Sequence, residues 1–343
     1  MRGVSSRPRL SRRGLLAAGG AAGLGALLAA CGDGGSKGGG NSSSGGGAWS
    51  FKDDRGTLVK AGSRPRRIVG YVGSAAALHD FGIDCVGIYG PSTYKNGSPT
   101  PQAGSLDLAK LTVVGNGPGE FSIEKYMSLK PDLLVGNMVQ PPAFWQLPEE
   151  GADKIFGFAP SVGISAAKAS LLTVIERYAA LAESLGADVG GGPAAEAKKR
   201  FEAAVASLRR AAEGRPGLKV MAAAAQADNF SVGVPGAYPD IRYYRELGVD
   251  VIEPTNPGKP GFWENHSWEN ADAYPADVIL LDQRSNNLPL DELRRSKPTW
   301  RELPAVKADQ VVPWNNEAQF SYAGYAPLIE RLATAIGKAQ KLH

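Results

Sequence analysis

One short pattern occurs twice in this chain at identical spacing. Ser122-Ile123-Glu124 stands eight residues, counted from the glutamate, ahead of Asp132, which leads into the apolar run Leu133-Leu134-Val135. Ser267-Trp268-Glu269 stands eight residues ahead of Asp277, which leads into Val278-Ile279-Leu280. In each copy the serine suits the N-cap of a short helix and the acid suits its first turn, because both satisfy free N–H groups there. Each helix then delivers a strand. As a repeat, the pattern divides the chain into two similar lobes with a cleft between them.

From Arg67 onward, short apolar runs alternate with helical patterns. Strands are expected at Ile68–Val72, Cys85–Tyr89, Leu133–Gly136, Ile155–Phe158, Val220–Ala223, Val249–Ile252, Val278–Leu281 and Val311–Pro313. Strands separated by helices need crossover connections, hence parallel sheets. Between Ser165 and Gly186, Leu171, Ile175, Tyr178, Leu181 and Leu185 recur every three or four residues, the mark of a long amphipathic helix. A second helix carries Phe201, Val205, Leu208 and Ala212 on one stripe and stops at Gly214, and a last one covers Pro327–Ile336. The expected class is α/β: two lobes, each a mainly parallel sheet flanked by helices, joined by a single long helix. The N-terminal lobe is assigned to 51–166, the connecting helix to 167–190 and the C-terminal lobe to 191–343.

Charge is unevenly spread. Of the 38 lysines and arginines, Arg2, Arg7, Arg9, Arg12 and Arg13 fall in residues 1–30, which hold no acid, leaving 33 against 34 acidic side chains. A nearly neutral body without a basic run offers no footprint for nucleic acid. The arginines are followed by a charge-free stretch, Gly14 to Ala30, in the layout of an export signal. Ser11-Arg12-Arg13-Gly14-Leu15-Leu16 resembles the twin-arginine motif, and Leu28-Ala29-Ala30-Cys31 resembles the lipobox of bacterial lipoproteins. Residues 1–30 are therefore expected to be cleaved, leaving Cys31 diacylated, with palmitate-type chains, as a membrane anchor. A Gly/Ser-rich tether at 31–50 follows. Cys85 is then the only other thiol, so no internal disulfide can form, and its apolar neighbours place it in the core.

From Arg64 to about Gly337 the residues resemble the ABC-transporter substrate-binding proteins that carry ferric siderophores, haem or cobalamin, whose lobes are joined by one long helix. The marks are Pro65-Arg66-Arg67-Ile68-Val69, Ser122-Ile123-Glu124 with Leu129-Lys130-Pro131-Asp132, and Ser267-Trp268-Glu269-Asn270 with Ala276-Asp277-Val278. The resemblance implies a lipid-anchored, non-enzymatic receptor on the outer face of the cell membrane, exported by the twin-arginine route and acting as a monomer. It would capture a ferric siderophore and deliver it to a permease and its ATPase. It also implies that one surface glutamate per lobe docks onto permease arginines; the matching positions are Glu124 and Glu269. No cofactor is expected, iron arriving only inside the siderophore. The other readings are a haem or cobalamin receptor and a non-transport sensory lipoprotein. A hydrolase with paired acids from Glu264, Glu269 and Asp272 lacks any supporting motif. Direct metal binding is not expected, because His79, His266 and His343 are the only histidines.

A preformed ferric complex needs aromatic walls and a few donors to its oxygens. In open α/β sheets ligands gather at the carboxyl ends of strands. That rule selects Tyr71, Tyr94, Asn116, Gln140 and Trp145 in the first lobe and Phe230, Trp263, Arg284, Trp314 and Tyr322 in the second. Tyr89, Met138, Asn229, Tyr238, Phe262 and Phe320 lie at the same strand ends. Arg284 stands out, because its planar fork can hold two hydroxamate or carboxylate oxygens at once; its other reading is an ion pair with Asp282 or a neighbour. A hydroxamate siderophore is expected over a triply anionic catecholate, since only one cleft cation can be placed. A single stiff connecting helix implies small closure.

Overall fold

The computed structural model describes residues 47–343. The expected export signal at 1–30, Cys31 and most of the 31–50 tether lie outside the described residues. A hairpin of β1 (Trp49–Lys52) and β2 (Leu58–Ala61) comes first. The first main sheet holds β3 (Ile68–Tyr71), β4 (Gly87–Tyr89), β5 (Thr112–Gly115), β6 (Leu133–Met138) and β7 (Ser161–Ser165) in the order β5-β4-β3-β6-β7, all parallel. Its helices are α1 (Val72–Asp80), α2 (Ile123–Ser128) and α3 (Ala152–Phe158). All six residues of β6 are buried, as expected for a parallel strand covered on both faces. The hairpin turn guards the β7 edge: Gly163 N–H donates to Asp53 Oδ2 (3.1 Å) and Ser165 N–H to Asp54 Oδ2 (2.8 Å).

The chain then crosses through α4 (Leu171–Ser184) and α5 (Gly192–Glu213) into the second sheet. That sheet contains β8 (Lys219–Ala225), β9 (Phe230–Gly233), β10 (Asp250–Val251), β11 (Trp263–His266), β12 (Val278–Asp282) and β13 (Val311–Trp314). The order is β11-β9-β8-β12-β13, with β10 pairing the start of β8; β9 runs antiparallel to β8 and β11, and the other pairings are parallel. Helices α6 (Pro239–Glu246), α7 (Leu290–Ser296), α8 (Pro298–Glu302), α9 (Pro304–Lys307) and α10 (Tyr322–Lys338) complete the lobe. The α/β class and the two lobes joined through a long helical segment are as expected. The crossing is two helices in series: Gly186 at φ +97°, where a Cβ would strike the Arg64 guanidinium, ends the first. The longer α5 lies along α10, burying Phe201, Ala204, Leu208 and Ala212.

The repeated pattern takes equivalent places in the two sheets. Asp132 accepts the N–H groups of Arg66 (2.9 Å) and Arg67 (2.8 Å) while its own N–H donates to Arg67 O (3.0 Å), joining the starts of β3 and β6. Asp277 accepts from Lys219 N–H (2.6 Å) and donates to Lys219 O (2.9 Å), joining β8 and β12 in the same way. The helices differ more than the aspartates. Ser122 Oγ caps α2 by accepting from Lys125 N–H (3.2 Å), whereas Ser267 opens a single 3-10 turn, Trp268–Asn270, with no side-chain cap.

Ile155–Phe158, expected as a strand, is the second half of α3. Only Ile155 is buried there, so the run is one stripe of a helix, and Gly151 (φ +79°) turns the chain into it. The strand at that place is β7, whose Ser-Val-Gly-Ile-Ser is too small and mixed to register as an apolar run. Strands β5, β9 and β11 were likewise not expected.

Replacing Asp277 with alanine strands two backbone donors, Lys219 N–H and Leu342 N–H (2.6 Å), at a position with no solvent access. The expected cost is about 2–4 kcal/mol. Asp132→Ala, half-exposed, is expected to cost about 1 kcal/mol, since water replaces the lost acceptor. Urea unfolding of the two variants checks that order.

Candidate functional site

Parallel strands β3, β6, β12 and β13 end at Tyr71, Met138, Asp282 and Trp314. Beyond those ends the two lobes form a cleft whose open space, counted out into the solvent at its mouth, is about 860 Å³. Asn137, Val139, Trp145 and Ala166 line it from the first lobe. Tyr238, Lys259, Pro260, Phe262, Trp263, Asn265, Arg284, Asn316, Glu317 and Phe320 line it from the second.

Arg284 is the centre of its polar chemistry. Two residues past the β12 terminus, its Nε donates to Asp282 Oδ2 (2.8 Å), its Nη2 lies 2.7 Å from the same oxygen as an ion pair, and its Nη1 donates to Glu317 Oε1 (3.3 Å). Its guanidinium carbon lies 5.7 Å from the centre of the Trp263 ring. Burial works against the charge, but Asp282 and Glu317 outweigh it and hold the guanidinium pKa above its ordinary value. The other oxygen of Glu317 accepts from Tyr71 OH (2.6 Å) and Trp145 Nε1 (3.3 Å), both in the first lobe. Burial first, and Glu317 second, push the Tyr71 phenol well above its usual range, so it stays a neutral donor.

The segment carrying Glu317 bridges the lobes. Asn315 Nδ2 donates to Pro101 O (3.2 Å), and Ser321 Oγ donates to Asp80 Oδ2 (2.5 Å). Gly104, at φ +54°, leaves room for Gln319, whose amide lies 2.5 Å from where a Cβ would stand.

Of the ten positions selected from the sequence, Trp145, Trp263 and Arg284 line the cleft. Tyr71 lies beneath it on Glu317, and Tyr94 OH reaches across to Gln283 O (3.2 Å). The other five stand elsewhere. Asn116 spends its carbonyl oxygen on the N–H groups of Ser92 (2.9 Å) and Thr93 (3.0 Å), which fixes a loop. Gln140 is exposed in a turn bridged to Ala143, outside the cavity. Phe230 points into the second lobe's core, against Trp268 and Trp300. Trp314 stands behind the wall, its Nε1 on Asp240 Oδ2 (2.6 Å) and its ring against Tyr238. Tyr322 opens α10 between Phe81 and Phe201. Among the further strand-end candidates, Tyr238, Phe262 and Phe320 line the cleft, while Tyr89, Met138 and Asn229 do not.

Glu317, Asn137, Asn265, Asn316 and Lys259 line the cavity without having been selected. The signal for Glu317 was its place just past β13, in the same kind of strand-end loop that singled out Arg284. His266 sits 3.2 Å from Glu264 and packs on Tyr274, away from the lining, and His79 pairs with Asp84 (2.6 Å). Among the described residues no cluster of His, Cys, Asp and Glu is arranged to hold a metal ion. Glu124 and Glu269 are both exposed, and the backbone N–H and the Ser267 hydroxyl hold the Glu269 carboxyl below its ordinary value. Burial pushes the Cys85 thiol up to about 12, so it is inert.

A family model described as periplasmic binding protein matches residues 71–318. No curated protein matches the chain. Among solved structures, DesE, a ferric-siderophore receptor protein from Streptomyces coelicolor, is 43% identical with a TM-score of 0.83, over 86% of this chain and 100% of that one. Staphylococcus aureus SirA, complexed with staphyloferrin B, is 21% identical with a TM-score of 0.59, over 85% of this chain and 99% of that one. The petrobactin-binding protein YclQ from Bacillus subtilis is 16% identical with a TM-score of 0.64, over 85% and 99%. The last two share the fold.

Behind the aromatic wall, Asp240 accepts from Trp314 Nε1 (2.6 Å) and Ile241 N–H (2.9 Å) with almost no solvent access. Burial, partly offset by those two bonds, pushes its carboxyl up from 3.8 to about 7. A raised carboxyl pKa means the folded state takes up a proton between those two values, so this group's contribution falls as pH rises from about 4 to 7 and then levels off. Asp240→Asn keeps an acceptor for Trp314 and removes the titration. Its stability relative to the native chain is expected to climb on the order of 4 kcal/mol across that window. Parallel melting curves from pH 4 to 8 would contradict the assignment.

Proposed function

We propose that this chain, which belongs to the periplasmic binding protein family, captures a ferric siderophore of hydroxamate type and hands it to an ABC permease. The family is extracytoplasmic and binds its ligands without chemistry. The observation that carries the proposal is the cleft itself: Trp145 from the first lobe and Tyr238, Phe262 and Trp263 from the second give it aromatic walls, with the Arg284 guanidinium among the lining. That suits a bulky preformed complex whose outer surface is hydrocarbon and ligand oxygen. The 43% identity to a ferric-siderophore receptor over its whole length supports the same reading.

Haem asks for an axial Tyr or His. Tyr71 OH is committed to Glu317, and His266 is not part of the lining, so the cleft supports haem less well. No helix among the described residues is long and apolar enough to cross a membrane, and attachment is assigned to a lipid on Cys31. Capture by a monomer, followed by docking through Glu124 and Glu269, completes the cycle; both acids are exposed and free to meet cationic side chains. Release would then be driven by the permease and its ATPase.

Titrating the form that begins after Cys31 with ferrioxamine-type, catecholate, haem and cobalamin ligands is expected to give submicromolar tryptophan quenching with a ferric hydroxamate. Silence across that panel would defeat the reading. Arg284→Lys keeps the charge but loses the fork, and an affinity loss of about tenfold is expected. Replacing both Glu124 and Glu269 with alanine is expected to abolish uptake while leaving binding unchanged. If binding falls instead, the docking assignment is wrong.

A further inference from the structure

The charges in the cleft do not cancel evenly. Asp282, without solvent access, accepts a hydrogen bond from Arg284 Nε and lies 2.7 Å from its Nη2, an ion pair that neutralises the guanidinium. Glu317 is a second carboxylate on the same cation, held only by the longer 3.3 Å contact, and it faces the cavity with 16% of its side chain exposed. Lys259 is the only other charged residue in the lining, and it stands out on the exposed lip. At the cleft floor one cation thus meets two anions.

We propose that Glu317 is the specificity-determining residue of the cleft, admitting uncharged or cationic ferric complexes and rejecting anionic ones. Two neutral donors from the opposite lobe, Tyr71 OH at 2.6 Å and Trp145 Nε1 at 3.3 Å, pin its carboxylate in place, so it cannot swing away from an approaching anion. It also occupies the Arg284 Nη1 that an anionic ligand would otherwise claim. Ferric iron in three singly charged hydroxamates is a neutral complex, cationic when the chain bears an ammonium group. Three catecholates leave a complex with three negative charges. A fixed carboxylate in the partly solvated cleft separates these classes by simple Coulomb repulsion. The inference rests on the siderophore reading and adds the charge class of the ligand and the residue that enforces it.

The test compares ferrioxamine with the ferric tris-catecholate of enterobactin type, by tryptophan quenching, on the native chain, Glu317→Gln and Glu317→Asp. Removing the charge is expected to improve the catecholate-to-hydroxamate affinity ratio by at least about tenfold, while the charge-conserving aspartate keeps the native ratio. A ratio unmoved in Glu317→Gln overturns the inference while leaving the receptor reading intact. Silence of the native chain towards both complexes sinks the receptor reading and this inference together. Independently of any variant, the native chain's weak affinity for the anionic complex should rise between low and high salt while that for the neutral complex holds. A flat response overturns the inference even if Glu317→Gln fails to fold.

Discussion

A guanidinium withdrawn from water must be met by opposite charge and by hydrogen-bond acceptors, or it would cost more than the surrounding packing returns. Arg284 imposes that demand on the second lobe. Asp282 can meet it because it terminates β12 two residues earlier, and Glu317 can because β13 runs parallel beside β12, with Asp282 opposite Trp314. The strand pairing therefore delivers both carboxylates to one cation. Trp263, on the β11 edge, lends its ring face to the same charge. Once that pairing exists, the cleft floor has a fixed shape and a fixed sign of charge.

The same network binds the lobes to each other. Glu317 belongs to the second lobe but is held by Tyr71 and Trp145 of the first; Asn315, Ser321 and Tyr94 add polar contacts across the same seam. Behind it, α4 reaches α1 and β7 on one side and α6 on the other, while α5 and α10 lie side by side. A crossing made of packed helices resists bending, and the polar seam is short-ranged. Movement between the lobes has to break the seam before it can tilt the helices, which argues for small, local adjustments around a ligand in place of a wide hinge.

What the sequence disclosed follows from which interactions are local. The spacing from Glu to Asp in each repeat survives into structure because Asp132 and Asp277 act on backbone at a fixed distance from the strand they open. Long amphipathic stripes, as in α4 and α5, are equally legible. β7 and β11 are not, since Ser-Val-Gly-Ile-Ser and Trp-Glu-Asn-His are defined by the strands beside them and carry no periodicity of their own. At the site, the strand-end rule found the right loops, yet an aromatic ring has no intrinsic side. Phe230, Trp314 and Tyr322 turned inward because each met a large apolar partner there, whereas Trp145 lies on the cleft and Trp263, packed against Tyr238 and Trp314, still lines it. Glu317 escaped selection because its role is to complete someone else's charge, and that partner lies 33 positions away.

The two exposed glutamates share one further property that depends on topology alone. Ser122 N–H donates to Val114 O near the carboxyl end of β5, so Glu124 stands at the cleft end of the first sheet before α2 descends to Asp132 at the opposite end. Glu269 follows β11, whose last residue His266 pairs with Phe230, itself opposite Ala225 at the carboxyl end of β8. Each acid is therefore on the side of its lobe where the cavity forms. A partner that held both with its own cations would lie across the cleft mouth, over the bound ligand and against both lobes at once. Binding and hand-over can then share one face of the molecule, with the aspartates anchoring the strands at the far end and the glutamates presented at the near one.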